Sequence, residues 1–285
     1  MKIAISADIE GATGYAGGTE GGFPANYAGP GETHPDYMRQ RLLLTADINA
    51  AIEGAIEAGA ETFVVHDTHG LDMRNVLIEE LNPAASLVKG RPIIFFDHRD
   101  LDEGYDLAFY IGMHARSGEA AMRSHVLDWP RITEIRINGL PASESHITAA
   151  LAGHFGIRSG LITGDDAICA EIRAWSGDTI ETAVTKYSLS RYAARCVGVL
   201  ESQDRIRKAA RAAVEQADRM PVSGYDFPIT MEVEFLDREV AYTCSWMPEV
   251  RYDGNRVVSY TNDSFLAIHE FLLAAFWIGA SKLNP

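Results

Sequence analysis

The segment KIAISADIEGATG ends an apolar run with two carboxylates, Asp8 and Glu10, one residue apart and directly before a glycine turn. Side chains alternate along an extended chain, so the two acids project from one face. Two carboxylates that close repel, and one keeps its proton unless a cation stands between them. Arginine, lysine or a metal ion can supply that cation. Related residues recur downstream: HDTHG carries His66, Asp67 and His69, GMHARSG carries His114 and Arg116, RSHVL carries His125, and SESHITAALAGHFG begins with Glu144 next to its first serine. Taken singly, each histidine is an ordinary hydrogen-bonding group at a strand–loop junction, and Arg116 is an available partner for the acids. Their recurrence points to a metal instead. Mixed imidazole and carboxylate ligands suit Zn²⁺ or a similar divalent transition metal, whereas an all-oxygen set suits Mg²⁺ or Ca²⁺. Three carboxylates and two histidines exceed the needs of one catalytic zinc with an open position, and fit two ions that share a bridging carboxylate.

Such residues must be carried to one place by the elements around them. After the first strand, residues 11–35 are dense in Gly and Pro and too long for a simple connector, which predicts a loop at the active site. Residues 36–58 place apolar side chains at helical spacing after an acidic start, with Gly59 beyond the end, and predict a helix. ETFVVHD (61–67) predicts a second strand, parallel to the first. Further strands are expected at 85–90, 106–113, 132–138 and 160–164, and a helix at 143–156 with Ser143 as its N-cap and Gly156 at its end. A long helix is expected over 189–218, then strands at 229–235 and 249–260, the latter with a hairpin-type Asp253-Gly254, and a last helix at 264–279. This order predicts an α/β fold: an N-terminal open, mostly parallel sheet flanked by helices, with a smaller C-terminal α+β domain. The expected domains are 1–185, metal-binding and catalytic, and 186–285, for oligomerisation and pocket closure. Open α/β sheets bind ligands beyond the carboxyl ends of their strands, which is where the acids and histidines collect.

The bulk numbers narrow the function. A chain of 285 residues with 47% hydrophobic content is globular. A net charge of −15 is ill-suited to phosphate backbones and to anionic membranes, so neither nucleic acid nor membrane is an expected partner. No leader pattern or membrane-length apolar run is visible, and Cys169, Cys196 and Cys244 form no paired pattern, which predicts a cytoplasmic protein with three small core residues.

The motifs SADIEG, HDTHG, YIGMHARSG, RSHVL and INGLPASESHITAALAGHFG, in this order, resemble the D-aminopeptidase family of zinc metallopeptidases, and the similarity continues through TGDD (163–166) and VTKYSLSRYAARC (184–196). The resemblance implies two zinc ions per subunit, held by Asp8, Glu10, His69, His114 and Glu144 with Asp8 as the bridge, and His125 as the catalytic histidine. It also implies release of N-terminal D-amino acids from short peptides and a ring-shaped homodecamer. The loop after Gly14 is longer and richer in glycine than that family leads one to expect, and His66 stands where a non-ionisable polar residue is expected.

The expected chemistry is hydrolysis of a peptide or small amide by a metal-bridging hydroxide, with His125 as acid/base or oxyanion donor. Mn²⁺ or Co²⁺ could replace zinc. Other readings are an amidase acting on another amide or a lactam, a metal-dependent phosphoesterase, and a non-catalytic, metal-stabilised oligomeric binding protein. His66 is expected to be structural or to support the ligands from beside them by donating to one of their carboxylates, rather than to be a ligand itself. His146 and His154 are expected to be structural or exposed, and His34 exposed. Lys186 and Asp165 or Asp166 are expected to orient substrate termini, to orient the groups that support the metal ligands, or to form structural ion pairs.

Overall fold

The computed structural model describes residues 1–21, 34–70, 72–92, 95–127 and 131–281. Strand β1 (Lys2–Ala7) lies between β2 (Thr62–Asp67) and β4 (Leu107–Met113), parallel to both. The sheet extends past β2 to β3 (Ala85–Val88), and past β4 to β7 (Arg158–Asp165) and β8 (Glu181–Ser190). All these neighbours are parallel, and β9 (Ala193–Cys196) ends the sheet antiparallel to β8. Every residue of β4 is buried, as its unbroken apolar run requires of a parallel strand covered on both faces.

Strand alternation divides the core. Ile3, Ile5 and Ala7 face helix α1 (Pro35–Glu57) and helix α5 (Val199–Glu215), which pack on each other over one face of the sheet. Ala4, Ala108 and Tyr110 face the other cluster, which includes α3 (Glu144–His154), α4 (Asp166–Ser176) and α7 (Phe265–Ser281). On that side lies a second, antiparallel sheet. Its order is β11 (Arg251–Tyr252), β12 (Val257–Asn262), β10 (Ile229–Phe235), β5 (Ile132–Ile137) and β6 (Leu140–Pro141). Strand β10 alternates buried and half-buried positions, the pattern of a sheet with one covered face.

The α/β architecture with its large, mostly parallel sheet is as expected, while two details of the sequence reading change. The long helix expected over 189–218 begins only at Val199, because Glu181–Cys196 forms the β8–β9 hairpin. The buried residues of β8 include Thr185 and Lys186, so hydrophobic periodicity does not reveal this strand. The position between 185 and 186 therefore lies inside β8. The strand expected over 132–138 forms as β5 but pairs with β10, so the second sheet is built from segments on both sides of that position. Cys169 and Cys244 are buried core residues, whereas Cys196 is exposed at the end of β9. Among the described residues no helix is long and apolar enough to cross a membrane.

Candidate metal centre

Three parallel strands deliver the cluster to one edge. Strand β1 ends at Ala7, and its extension continues along β4 through Asp8 N–H to Ile111 O at 2.9 Å and Gly11 N–H to Gly112 O at 2.7 Å. The backbones touch there: a Cβ on Gly11 would stand 1.8 Å from Met113 O, and one on Gly112, whose φ is 75°, 2.0 Å from Asp8 O. Only glycine allows this approach. Asp8 and Glu10 thus lie just past the strand, with Ile9 turned into the core between them.

The remaining members come from neighbouring strand ends and one helix. His69 follows β2, and its Nδ1 lies 2.9 Å from Asp8 Oδ1. His114 follows β4; its Nδ1 lies 3.1 Å from Ala115 O, which directs Nε2 at the acids. Glu144 opens α3, whose N-cap Ser143 forms a capping box with His146. The first turn of that helix, where backbone N–H groups favour negative charge, therefore points Glu144 into the cluster.

The segment 123–127 threads between two carboxylates. Arg123 Nε and Nη2 both donate to Glu10 Oε1, at 2.9 and 2.6 Å, and Leu127 N–H donates to Glu144 Oε1 at 2.7 Å. Arg123 and Leu127 each have φ of 53°, a left-handed conformation that costs about 1–3 kcal/mol in a non-glycine residue and persists only when surroundings enforce it. Between them His125 stacks on His114, with ring centroids 4.2 Å apart and planes 4° from parallel. Its Nδ1 lies 2.6 Å from Arg123 O, leaving Nε2 3.4 Å from Glu10 Oε2.

The central spacing is the informative one. His114 Nε2 stands 3.5 Å from Asp8 Oδ2, 3.5 Å from Glu10 Oε2 and 3.4 Å from Glu144 Oε1. These exceed the usual 2.7–3.2 Å of an N–H···O bond. They match the separation of about 3.3–3.6 Å between two ligand atoms of a tetrahedral ion bonded at about 2.0–2.2 Å. Three overlapping groups have donor atoms that all lie within 4.8 Å of one another: Asp8, Glu10 and His69; Asp8, His114 and Glu144; and Glu10, His114 and His125.

The charges respond to each other. Burial pushes the Glu10 carboxyl up, but His125, Arg123 and His114 outweigh it and hold the group far below the carboxylate range. Burial disfavours charge on His69, yet the bond to Asp8 lifts it to about 9. Against the same burial, Glu144, Glu10 and Asp8 lift His114 to about 10. His125 goes the other way, lowered by burial and by the facing His114 despite Glu10. In the metal-free protein two imidazoles thus hold protons among the acids, while His125 is neutral.

The structure gathers Asp8, Glu10, His69, His114, His125 and Glu144 and separates the other candidates. His66 does not donate to a carboxylate of the cluster; its Nε2 meets Asp100 Oδ2 at 2.8 Å and its ring stands edge-on to Phe96. Asp67 accepts from Asn75 and Val76 and shapes the loop that carries His69. Arg116 pairs with Glu119 and Glu171, so the cation beside the acids is Arg123, a residue that sequence reasoning misses. Its place two residues before His125 was the only available signal. His146 belongs to the capping box and His154 is exposed. His34 caps α1 and is part exposed. Asp165 caps α4, Asp166 accepts from Ser188 N–H, and Lys186 donates to Glu10 O. Of the Gly-rich loop, residues 22–33 lie outside the described residues; before them, Gly21 O lies 3.0 Å from His69 Nε2.

The chain is 26% identical over 275 residues to a D-aminopeptidase of Bacillus subtilis (strain 168), covering 96% of each sequence. Its fold matches, with a TM-score of 0.87 and full coverage of both chains at 22% identity, the solved structure of the Zn-dependent D-aminopeptidase DppA from Bacillus subtilis, a self-compartmentalizing protease. The D-aminopeptidase family pattern matches residues 1–274. With nearly its whole length matched, the chain belongs to the D-aminopeptidase family, peptidases that hydrolyse peptide bonds.

Proposed function

We propose that this protein is a dinuclear zinc aminopeptidase that releases N-terminal D-amino acids from short peptides. The observation that carries the reading is the set of 3.4–3.5 Å separations around His114 Nε2, the spacing of metal ligands rather than of hydrogen bonds. Asp8, Glu10 and His69 would hold one ion, and Asp8, His114 and Glu144 the other. Asp8 suits the bridge because its two oxygens already face two different histidines, Oδ1 toward His69 and Oδ2 toward His114. Zinc follows from the mixed donor set and from the zinc dependence of the Bacillus subtilis DppA; Mn²⁺ and Co²⁺ accept the same ligands.

Two such ions supply Lewis acidity toward the scissile carbonyl and water acidified toward neutral pH. The chain's own residues do the rest. His114 Nδ1–H on Ala115 O fixes the tautomer that presents Nε2 as ligand, a usual outer-shell device. His69 keeps Nε2–H on Gly21 O and presents Nδ1. Arg123 occupies Glu10 Oε1 and leaves Oε2 for metal. His125, tied through Nδ1 to Arg123 O and neutral at physiological pH, offers Nε2 to take a proton and return it to the leaving amine. The self-compartmentalizing relative suggests that this chain assembles likewise, as a closed homo-oligomer, with the decamer as first expectation. Three free cysteines suit a cytoplasmic setting.

The test is zinc analysis of the purified protein together with a panel of matched D- and L-dipeptides. About two zinc ions per chain and hydrolysis confined to D-residues at the N-terminus are expected. No stoichiometric metal after zinc supplementation would overturn the metal reading, and faster L-peptide cleavage would overturn the substrate assignment.

A further inference from the structure

Behind the cluster lies a buried cation for which the reaction above has no use. Lys186 is fully buried, and a buried ammonium is costly unless paired and hydrogen-bonded. It reaches this position through a register shift between Gly164 and Asp165 where β7 pairs with β8. At that irregularity the consecutive residues Thr185 and Lys186 are both fully buried, and both reach the turn after β1. The Thr185 hydroxyl lies 2.7 Å from Gly11 O, and Lys186 Nζ donates to Glu10 O at 2.8 Å. Its ammonium is 5.2 Å from the ring centre of Tyr15, whose hydroxyl donates to Glu10 Oε1 at 3.3 Å. Asp165, Asp47 and Glu20 are near enough to balance the charge, and Asp165 Oδ2 is buried with no hydrogen bond among the described residues.

A neutral donor would satisfy the Glu10 carbonyl at less desolvation cost, and a cation beside a metal position repels the metal. The lysine nevertheless stands, despite both penalties, at the turn that spaces Asp8 from Glu10. We propose that Lys186 is a positioning residue of the metal centre, holding the Glu10 main chain so that the Asp8 and Glu10 carboxylates keep the separation that receives an ion. The proposal rests on the metal reading above. It makes the ion at Asp8, Glu10 and His69 dependent on Lys186, and the ion at Asp8, His114 and Glu144 independent of it.

The experiment titrates zinc-free parent, Lys186→Met and Lys186→Met/Asp165→Asn with zinc against a chromophoric chelator. Thermal melting of the zinc-free proteins and the visible spectrum of the Co²⁺-loaded forms accompany it. Should the single variant fail to fold, the double variant also removes the charge of Asp165, the acid whose buried Oδ2 has no hydrogen bond among the described residues. The expected result is two equivalents in the parent, and in the variants one equivalent at parental affinity with the second weakened by about tenfold or more and its Co²⁺ bands shifted. Lower melting temperatures with two parental zinc affinities and an unchanged Co²⁺ spectrum would make Lys186 merely structural and overturn the proposal. A tighter second equivalent would overturn it too, since repulsion would then outweigh positioning. Failure of both variants to fold assigns the lysine to the core, with the same consequence. A parent that binds no zinc sinks the metal reading itself, a result distinguishable from all of these.

Discussion

Asp8 and Asp67 end adjacent parallel strands, yet they live in opposite circumstances. Asp67 is saturated: Oδ2 accepts from Asn75 N–H at 2.5 Å and Val76 N–H at 2.8 Å, and Oδ1 from Asn75 Nδ2 at 2.7 Å. Asp8 Oδ1 takes Ile9 N–H at 2.7 Å and the His69 ring, while Oδ2 faces His114 only at 3.5 Å. Glu10 Oε2 and Glu144 Oε1 face the same nitrogen at similar range. A buried carboxylate whose lone pairs are filled by N–H groups shapes a loop. One whose oxygens stand at ligand spacing, with charged imidazoles beside it, has the geometry that a bound cation requires.

Substitutions can break that contrast. The largest effect is expected from Glu144→Ala, which removes a donor from the open cluster: zinc content should fall and peptide hydrolysis drop below detection. Elemental analysis beside an activity assay decides this, and retained zinc with full activity would erase the distinction drawn here. Next is His125→Ala. His125 shares the cluster without being needed to hold both ions, so zinc content should stay parental while kcat falls by about 10²–10⁴-fold. An active variant would remove the acid/base assignment.

The charged imidazoles sharpen the contrast further. His69 titrates at about 9 and His114 at about 10, so below pH 9 both hold protons that the metal must displace. Zinc affinity should therefore weaken as pH falls from 9 to 7, by about tenfold per pH unit for each proton displaced. Calorimetry in buffers of different ionisation enthalpy should report about two protons released on loading both sites at pH 7.5. Loading without proton release would mean that the imidazoles are neutral. The smallest effect belongs to the saturated acid. Asp67→Asn sets an amide N–H against backbone donors and should cost about 1–3 kcal/mol of stability, with zinc stoichiometry unchanged. Urea denaturation of the zinc-loaded protein measures it, and lost zinc at full stability would place Asp67 among the ligands.

How much could be read from the chain depended on which signal each residue left. The strands β1, β2 and β4 announce themselves by apolar runs that end in acids or histidines, and the five candidates at those ends and at the start of α3 converge together with His125. Arg123 gave no such signal, because an arginine in a loop is ordinarily a solvated charge, and only the fold of 123–127 brings it onto Glu10. The burial of Lys186 was unreadable for the opposite reason: its strand is buried through polar residues, which periodicity counts as exposed. His66 looked like a ligand's neighbour, since Asp67 and His69 flank it, yet alternation along β2 turns it away to Asp100.

The sequence by itself determined most of the elements and the types of donor group gathered at their ends. Apolar runs specify strands, Ser143 starts α3 immediately before Glu144, and the acids and histidines at the strand ends form a mixed donor set that suits a divalent metal of zinc type. Only the tertiary structure decided which of those groups are free to bind. A side chain's availability depends on whether distant backbone N–H groups, such as those of Asn75 and Val76 at Asp67, have already filled its lone pairs. The placement of β5 beside β10, of Arg123 on Glu10 and of Lys186 beneath it is likewise set by contacts between segments far apart in the chain. Local propensity carries no record of such partners, because each contact becomes favourable only once the rest of the fold has brought both sides together.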